Sequence, residues 1–256
     1  MTASTTPMIQ VENLTVGYGQ DIIVDDVSFE VSRGETFIIL GGSGSGKSTL
    51  LKAMIGLLPP KKGRVLIDGE DIATEDEQKH LGILRKIGVM YQSGALFGSR
   101  TLLENVRLPL EEFTRLPGRA QNLVACLKLN IVDLKGYENY LPAEISGGMK
   151  KRAAIARAMA LDPEILFLDE PSAGLDPVTQ AELDQLVLTL SKNLGMTFVI
   201  VTHELPSIYT VADRVIMLEK ESRKIIAEGR PDHLRDHSDN PRVRQFFQRE
   251  ADPEKV

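Results

Sequence analysis

The stretch "TFIILGGSGSGKSTLLKAMIGLL", residues 36–58, decides the fold. Phe37 to Leu40 are apolar on consecutive positions, which reads as a strand covered on both faces, as in a parallel sheet. An apolar helical pattern begins near Lys47. Between them lie Gly41, Gly42, Ser43, Gly44, Ser45 and Gly46, followed by Lys47, Ser48 and Thr49. Gly41 and then Gly46-Lys47-Ser48 fit the P-loop pattern in the strand–loop–helix setting it requires. Glycines let successive backbone N–H groups curl toward one anion, and the new helix adds its positive end. Lys47 is placed to reach the β- and γ-phosphates of a nucleotide, Ser48 suits Mg²⁺, and Thr49 lies near the α-phosphate. An ordinary glycine-rich turn would not need both flanks to fit.

Working outward, Val89 to Tyr91, Ile165 to Leu168 and Phe198 to Val201 are further unbroken apolar runs. Helical patterns beginning near Gly147 and Val178 separate them, and that alternation is the α/β signature. Residues 8–16 and 22–31 read as strands around the turn "VGYGQ", so a small antiparallel sheet is expected at the beginning. Residues 214–228 read as two strands around "EKESR". Between Gln92 and Ser146 the pattern is largely helical and polar, as in a helical subdomain inserted into the sheet domain. The expected organisation is one domain over 1–234, with the helical subdomain at 93–161, then a C-terminal helix and charged tail over 235–256. The helix would carry Phe246 and Phe247, docked either on a partner or on its own domain, and the end "EADPEKV" should fray.

The chain has 256 residues and is 42% hydrophobic, enough for a sizeable core. A net charge of -6 argues against a dedicated nucleic-acid binder. Cys126 is the only cysteine, so an internal disulfide is impossible and a reducing compartment fits. The start "MTASTTPMIQ" lacks the basic and apolar regions of a signal peptide, and the longest aliphatic runs are too short to span a bilayer. Any membrane role is therefore expected to come through a partner. His80, His233 and His237 show no ligand spacing and are expected at the surface.

The strand "ILFLDE" ends in two adjacent acids. Strand alternation sends Asp169 and Glu170 in opposite directions unless the chain bends. Asp169 is assigned to Mg²⁺ and Glu170 to general-base or water-polarising work. His203 follows the strand "FVIVT", where a γ-phosphate contact outweighs a structural role. Gln92 ends another apolar run, and the loop after it, "SGALF", is unusually apolar for a surface.

"EISGGMKKRAAIARAMALDPEILFLDE" goes beyond a generic P-loop protein. Ser146-Gly147-Gly148 opens a helix whose free N–H groups form a second anion site. With "PSAGLDP" after the acids, and with His203, the chain resembles the ATP-binding cassette family over roughly residues 8–230. The resemblance implies a P-loop NTPase of ABC type: an α/β fold with a mainly parallel core sheet, an N-terminal antiparallel β-subdomain and the helical insert. It implies that Tyr18 stacks on adenine and that Gln92 senses Mg²⁺ and the attacking water. It implies that Ser146, Gly147 and Gly148 bind the γ-phosphate of ATP held by the opposite subunit, and that Ala173 to Asp176 cross the dimer interface. One P-loop and one such segment per chain call for a head-to-tail homodimer with two ATP molecules. Met149 stands where the family commonly has glutamine, so contact there must come from the backbone or from packing.

"YQSGALF", "LLENVRLPL", "ISGGM" and "PRVRQFF" resemble, within that family, the ATPase of bacterial MCE-type lipid transporters, including the system that maintains outer-membrane lipid asymmetry. That resemblance implies a multi-span permease, a periplasmic MCE lipid-binding protein and, in several systems, a small STAS-domain protein as partners. It implies a place on the cytoplasmic face of the inner membrane, held there by the permease. The SGALF loop then reads as a docking surface for a permease helix. An importer of small polar solutes and a non-transport ATPase are the alternatives.

Overall fold

The structure is a computed structural model and describes residues 6–249. The frayed end expected for "EADPEKV" lies outside the described residues. In chain order the elements are β1 (Ile9–Tyr18), β2 (Asp21–Val31), β3 (Thr36–Gly41), α1 (Lys47–Met54), β4 (Lys62–Ile67), β5 (Glu70–Asp71), α2 (Glu77–Lys86) and β6 (Ile87–Met90). Then come α3 (Leu102–Phe113), α4 (Gly118–Ile131), α5 (Gly147–Ala158), β7 (Ile165–Asp169), α6 (Pro177–Leu194) and β8 (Thr197–Val201). The chain ends with α7 (Leu205–Val211), β9 (Arg214–Leu218), β10 (Ile225–Gly229), α8 (Pro231–His237) and α9 (Pro241–Gln248). They fall into two compact units, one made of the chain up to Ile83 and from Thr197 onward, the other of Leu84–Met196. The expected helical insert at 93–161 lies within the second unit.

In the first unit β3 lies between β8 and β9, parallel to both. Every residue of β3 and β8 is buried, which is why both read as unbroken apolar runs. Ile39 pairs with Val201, so the loop after β3 and the segment Thr202-His203 leave the sheet at one edge. β10 runs antiparallel to β9, as expected around "EKESR". The N-terminal sheet has the order β2-β1-β4-β5, and all its pairs are antiparallel. Phe29 of β2 stacks on Phe37 of β3 at 5.3 Å between ring centres. The Arg214 guanidinium lies 4.9 Å from the Phe37 ring centre. It donates to Glu35 Oε1 at 2.8 Å and to the Glu30 carbonyl at 2.6 Å. The hydrogen bond to Glu35 raises its pKa, so this half-buried charge is held protonated and paired.

Helix α9 forms where the tail was expected to be helical, and it packs on the first unit. Val243 and Phe247 are buried, the Phe247 ring lies 6.1 Å from Tyr209, and Arg242 pairs with Glu219 at 2.6 Å. His233 and His237 are exposed, whereas His80 is half-buried and its Nδ1 lies 3.1 Å from the Ile72 carbonyl.

In the second unit β6 and β7 run parallel, from the pair Ile87 and Ile165 to the pair Met90 and Leu168. Tyr91 lies just past the end of β6 rather than in it. Helices α3, α4 and α5 pack together. Cys126 is half-buried on α4, and burial raises its thiol pKa. A Cβ at position 88 would meet the Ala158 carbonyl oxygen at 2.2 Å, so glycine is what lets the end of α5 lie against β6. Helix α6 starts with Pro177 behind an Asp176 cap and ends at Gly195 in the left-handed region, the usual asymmetry of helix ends. Among the described residues no helix is long and apolar enough to cross a membrane.

Candidate nucleotide site

The first unit supplies the phosphate loop. Gly44 has φ +76° and Gly46 φ +99°, conformations that side chains rarely adopt. A Cβ on Gly46 would also meet Val24 Cγ2 at 2.7 Å. The loop therefore needs glycine for both its curl and its packing. The concavity it makes, about 280 Å³, is lined by Ile23 and residues 44–49. Its shape, its N–H groups and the start of α1 suit an anion. Lys47 Nζ donates to the carbonyls of Gly41 at 2.8 Å and Gly42 at 3.1 Å, which holds the ammonium beside the loop. The Ser45 hydroxyl is buried without a protein hydrogen-bond partner among the described residues. Ser48 and Thr49 open the first turn of α1.

Tyr18 closes β1 and is 47% exposed, with Lys52 Nζ 6.0 Å from its ring centre. The accessible face fits a stacking ring. The His203 side chain is 57% exposed, and its Nε2 lies 3.5 Å from Glu204 Oε1. It follows β8 at the edge where β3 delivers the phosphate loop.

The second unit holds the acids and the Ser-Gly-Gly segment. Asp169 is the last residue of β7, and Gln92 lies two residues past β6. The register of these strands puts Gln92, Asp169 and Glu170 at one sheet edge. Glu170 has φ +47°, so the chain bends there. Strand alternation therefore says nothing about where its carboxylate points, and the bend left open from sequence is what forms. Ser146 caps α5 by accepting from the Met149 N–H at 3.2 Å. That hydrogen bond is a helix cap within the chain and uses the Met149 backbone, not its side chain. Gly147 and Gly148 form the first turn of that helix. Asp176, ending the Ala173–Asp176 loop, accepts from the backbone N–H groups of Val178 and Thr179, each at 3.1 Å. Hydrogen bonds from Thr179 hold its carboxyl below the ordinary range. A cavity of about 490 Å³ opens beside Gln92, lined by Ser93, Gly147, Lys150, Lys151, Ala173 and Gly174.

Three side chains that sequence reading passed over hold the segment from Gln92 to Thr101. Lys151 donates to the carbonyl of Gln92 and, at 3.4 Å, to that of Glu170. Burial lowers its pKa, and the Glu170 and Asp169 carboxylates partly restore it. Arg157 donates to the carbonyls of Ala95 at 2.6 Å and Gly94 at 2.9 Å. Asn105, fully buried, accepts from the Phe97 N–H at 2.8 Å and donates to the carbonyls of Phe97, Arg100 and Thr101. With its backbone so held, the loop exposes its side chains, Phe97 to 51%.

A family model described as "ABC transporter" matches residues 24–173. The chain belongs to the ABC transporter family. Membership brings ATP binding and hydrolysis with it. The chain is 37% identical to the intermembrane phospholipid transport system ATP-binding protein MlaF of Escherichia coli strain K12, over 98% of this chain and 93% of that protein. It is 43% identical to the probable ribonucleotide transport ATP-binding protein mkl of Mycobacterium leprae, over 93% of this chain and 68% of that protein. It therefore spans about two thirds of the mkl protein's length. A solved dimeric ATP-binding cassette in a post-hydrolysis state, bound to ADP and Pi, superposes with a TM-score of 0.78 at 33% identity, covering 87% of this chain and 98% of that one. The cbiO1 protein of Clostridium perfringens superposes with a TM-score of 0.82 at 27% identity, covering 94% and 99%.

Proposed function

We propose that this chain is the ATP-hydrolysing subunit of a transporter that moves phospholipid or a related lipid between the inner and outer membranes. The observation that carries the reading is similarity along nearly the whole length to proteins named for intermembrane phospholipid transport. The apolar, exposed SGALF loop supports it, because a permease helix needs such a surface. The chain works as a head-to-tail homodimer, as the dimeric cassette it resembles suggests. It sits on the cytoplasmic face of the inner membrane through a multi-span permease, in a complex with a periplasmic MCE protein.

The residue roles follow from the family motifs and local geometry. Tyr18 stacks on adenine. The loop from Gly41 to Thr49 cradles the phosphates, and Lys47 adds positive charge at the β- and γ-oxygens. Ser48, Asp169 and Gln92 offer the oxygen donors that Mg²⁺ prefers. Mg²⁺, when bound, supplies neutralisation of phosphate charge. Glu170 polarises the attacking water, and His203 contacts the γ-phosphate. Ser146, Gly147 and Gly148 present helix N-terminal N–H groups to the ATP of the opposite subunit. ATP closes the dimer, closure shifts the permease between two states, and hydrolysis resets it.

Purifying the tagged chain from native membranes and identifying its subunits and bound lipid tests this reading. A permease, an MCE protein and a co-purifying phospholipid are the expected result, and the same purification looks for a STAS-domain protein. Recovery of a binding protein for a small polar solute, with no lipid, would favour the importer alternative to which the ribonucleotide name of the mkl relative points.

A further inference from the structure

We infer that Lys151 is a positioning residue for hydrolysis, fixing the main-chain carbonyls of Gln92 and Glu170 and with them the directions of both side chains. The inference rests on the roles proposed above for Gln92 and Glu170. Lys151 lies on α5, one helical turn after Gly147, and is only 8% exposed. A buried ammonium is costly unless hydrogen bonds and nearby charge offset its lost hydration. Here its donors go to main-chain oxygens, those of Gln92 and Glu170.

Those oxygens sit where the chain departs from two neighbouring parallel strands. Gln92 follows β6 and Glu170 follows β7. At both points strand hydrogen bonding has stopped, so the sheet no longer fixes the backbone. Glu170 also has φ +47°, a conformation that a non-glycine residue holds only when its surroundings impose it. A charged donor on each carbonyl fixes ψ at that residue, and hence the peptide plane from which the next segment leaves. One buried amine shared by both carbonyls ties the two residues to each other.

The same lysine links these residues to the start of α5. The helix begins at the Ser146 cap, so a movement of Ser146, Gly147 and Gly148 reaches Gln92 and Glu170 through Lys151. Neighbouring Lys150 lines the same cavity but is less buried. Arg152 turns to Asp133 and Glu182. Of the three basic residues Lys151 is the buried one, and it donates to the carbonyls at the sheet edge.

The test uses the full chain with Lys151→Met, Lys151→Gln and Lys151→Arg. ATP turnover is followed as kcat and KM, ATP binding by a fluorescent nucleotide, and folding by thermal melting. Lys151→Met should lower kcat by about tenfold or more while KM and nucleotide affinity stay within about twofold, the pattern of a lost transition-state arrangement. Lys151→Arg, which keeps charge and donors, should restore kcat to within about threefold of the parent. A folded methionine variant with parental kcat would overturn the inference. So would a loss of kcat matched by an equal loss of folded fraction and of nucleotide-binding sites, since a purely structural lysine gives that. If the methionine variant does not fold, the other two decide. Arginine near parental with glutamine about tenfold slower supports the inference, and equal rates in both overturn it. A parent chain without ATPase activity would instead sink the reading of the site itself, and the inference with it.

Discussion

At the scale of one residue, a single bend separates two adjacent acids. β7 delivers Asp169 in strand geometry, and Glu170 then turns into the left-handed region. The two acids therefore differ in backbone setting as well as in proposed role. Glu170→Gln keeps the shape of the side chain but removes the charge proposed to polarise water. The variant should bind ATP as the parent does, turn it over at least about 100-fold more slowly, and accumulate as an ATP-bound dimer. ATPase assays and size-exclusion chromatography with and without ATP read these effects, and near-normal hydrolysis would remove Glu170 from the catalytic role. Lys47, Ser48 and Asp169 were legible in the sequence because each stands at a fixed place in a motif whose flanks also fit. Lys151 was not. "MKKRAAIARA" offers three consecutive basic residues, and only the phase of the folded helix shows which of them turns inward.

The segment between Gln92 and α3 shows what a single buried amide does for a whole element. Asn105 satisfies one N–H and three carbonyls between Phe97 and Thr101, which lets an irregular stretch sit against the helices without stranded backbone groups. Asn105→Ala removes the partner of the Phe97 N–H and of the Arg100 carbonyl, while the carbonyls of Phe97 and Thr101 keep the backbone donors Arg100 and Asn105, and it should cost about 1–3 kcal/mol in denaturant unfolding. Asn139→Ala, at an exposed position, should cost less than about 0.5 kcal/mol. Equal midpoints for the two variants would show that the loop does not depend on Asn105. Elements with one strong apolar pattern were readable in advance: β3, β7, β8, α5 and α6. The third and fourth strands of the N-terminal sheet were not, since β4 exposes Lys62, Gly63 and Arg64 and β5 is a two-residue Glu-Asp strand. Helix α2 was missed for a related reason: it buries only Ile83, so no stripe repeats along it. The tail helix was legible from "DNPRVRQFF", but its docking surface of Tyr209 and Glu219 comes from distant sequence and had to be seen.

For the molecule as a whole, the question is how ATP turnover reaches a membrane. No described helix is apolar and long enough to cross one. The proposed transport role calls for a surface that grips a permease. The loop after Gln92 is suited to this because its two sides do different things. Its backbone is tied inward by Lys151, Arg157 and Asn105, while Phe97 stands 51% exposed with the Arg100 guanidinium 5.8 Å from its ring centre. An exposed aromatic on a fixed backbone can receive force without the loop deforming, and its other end begins at a residue assigned to Mg²⁺ and water. Phe97→Asp puts a charge into any apolar contact there but leaves the inward hydrogen bonds intact, because those use main-chain atoms at that residue. Lipid transfer by the reconstituted complex should therefore fall about tenfold or more, while basal hydrolysis by the isolated subunit stays within about twofold. Leu96→Asp, at a half-buried neighbour, should act in the same direction. A Phe97→Asp complex that assembles and transfers lipid at the parental rate would place the permease contact elsewhere. Loss of hydrolysis by the isolated subunit would instead mean that the loop serves the nucleotide site directly.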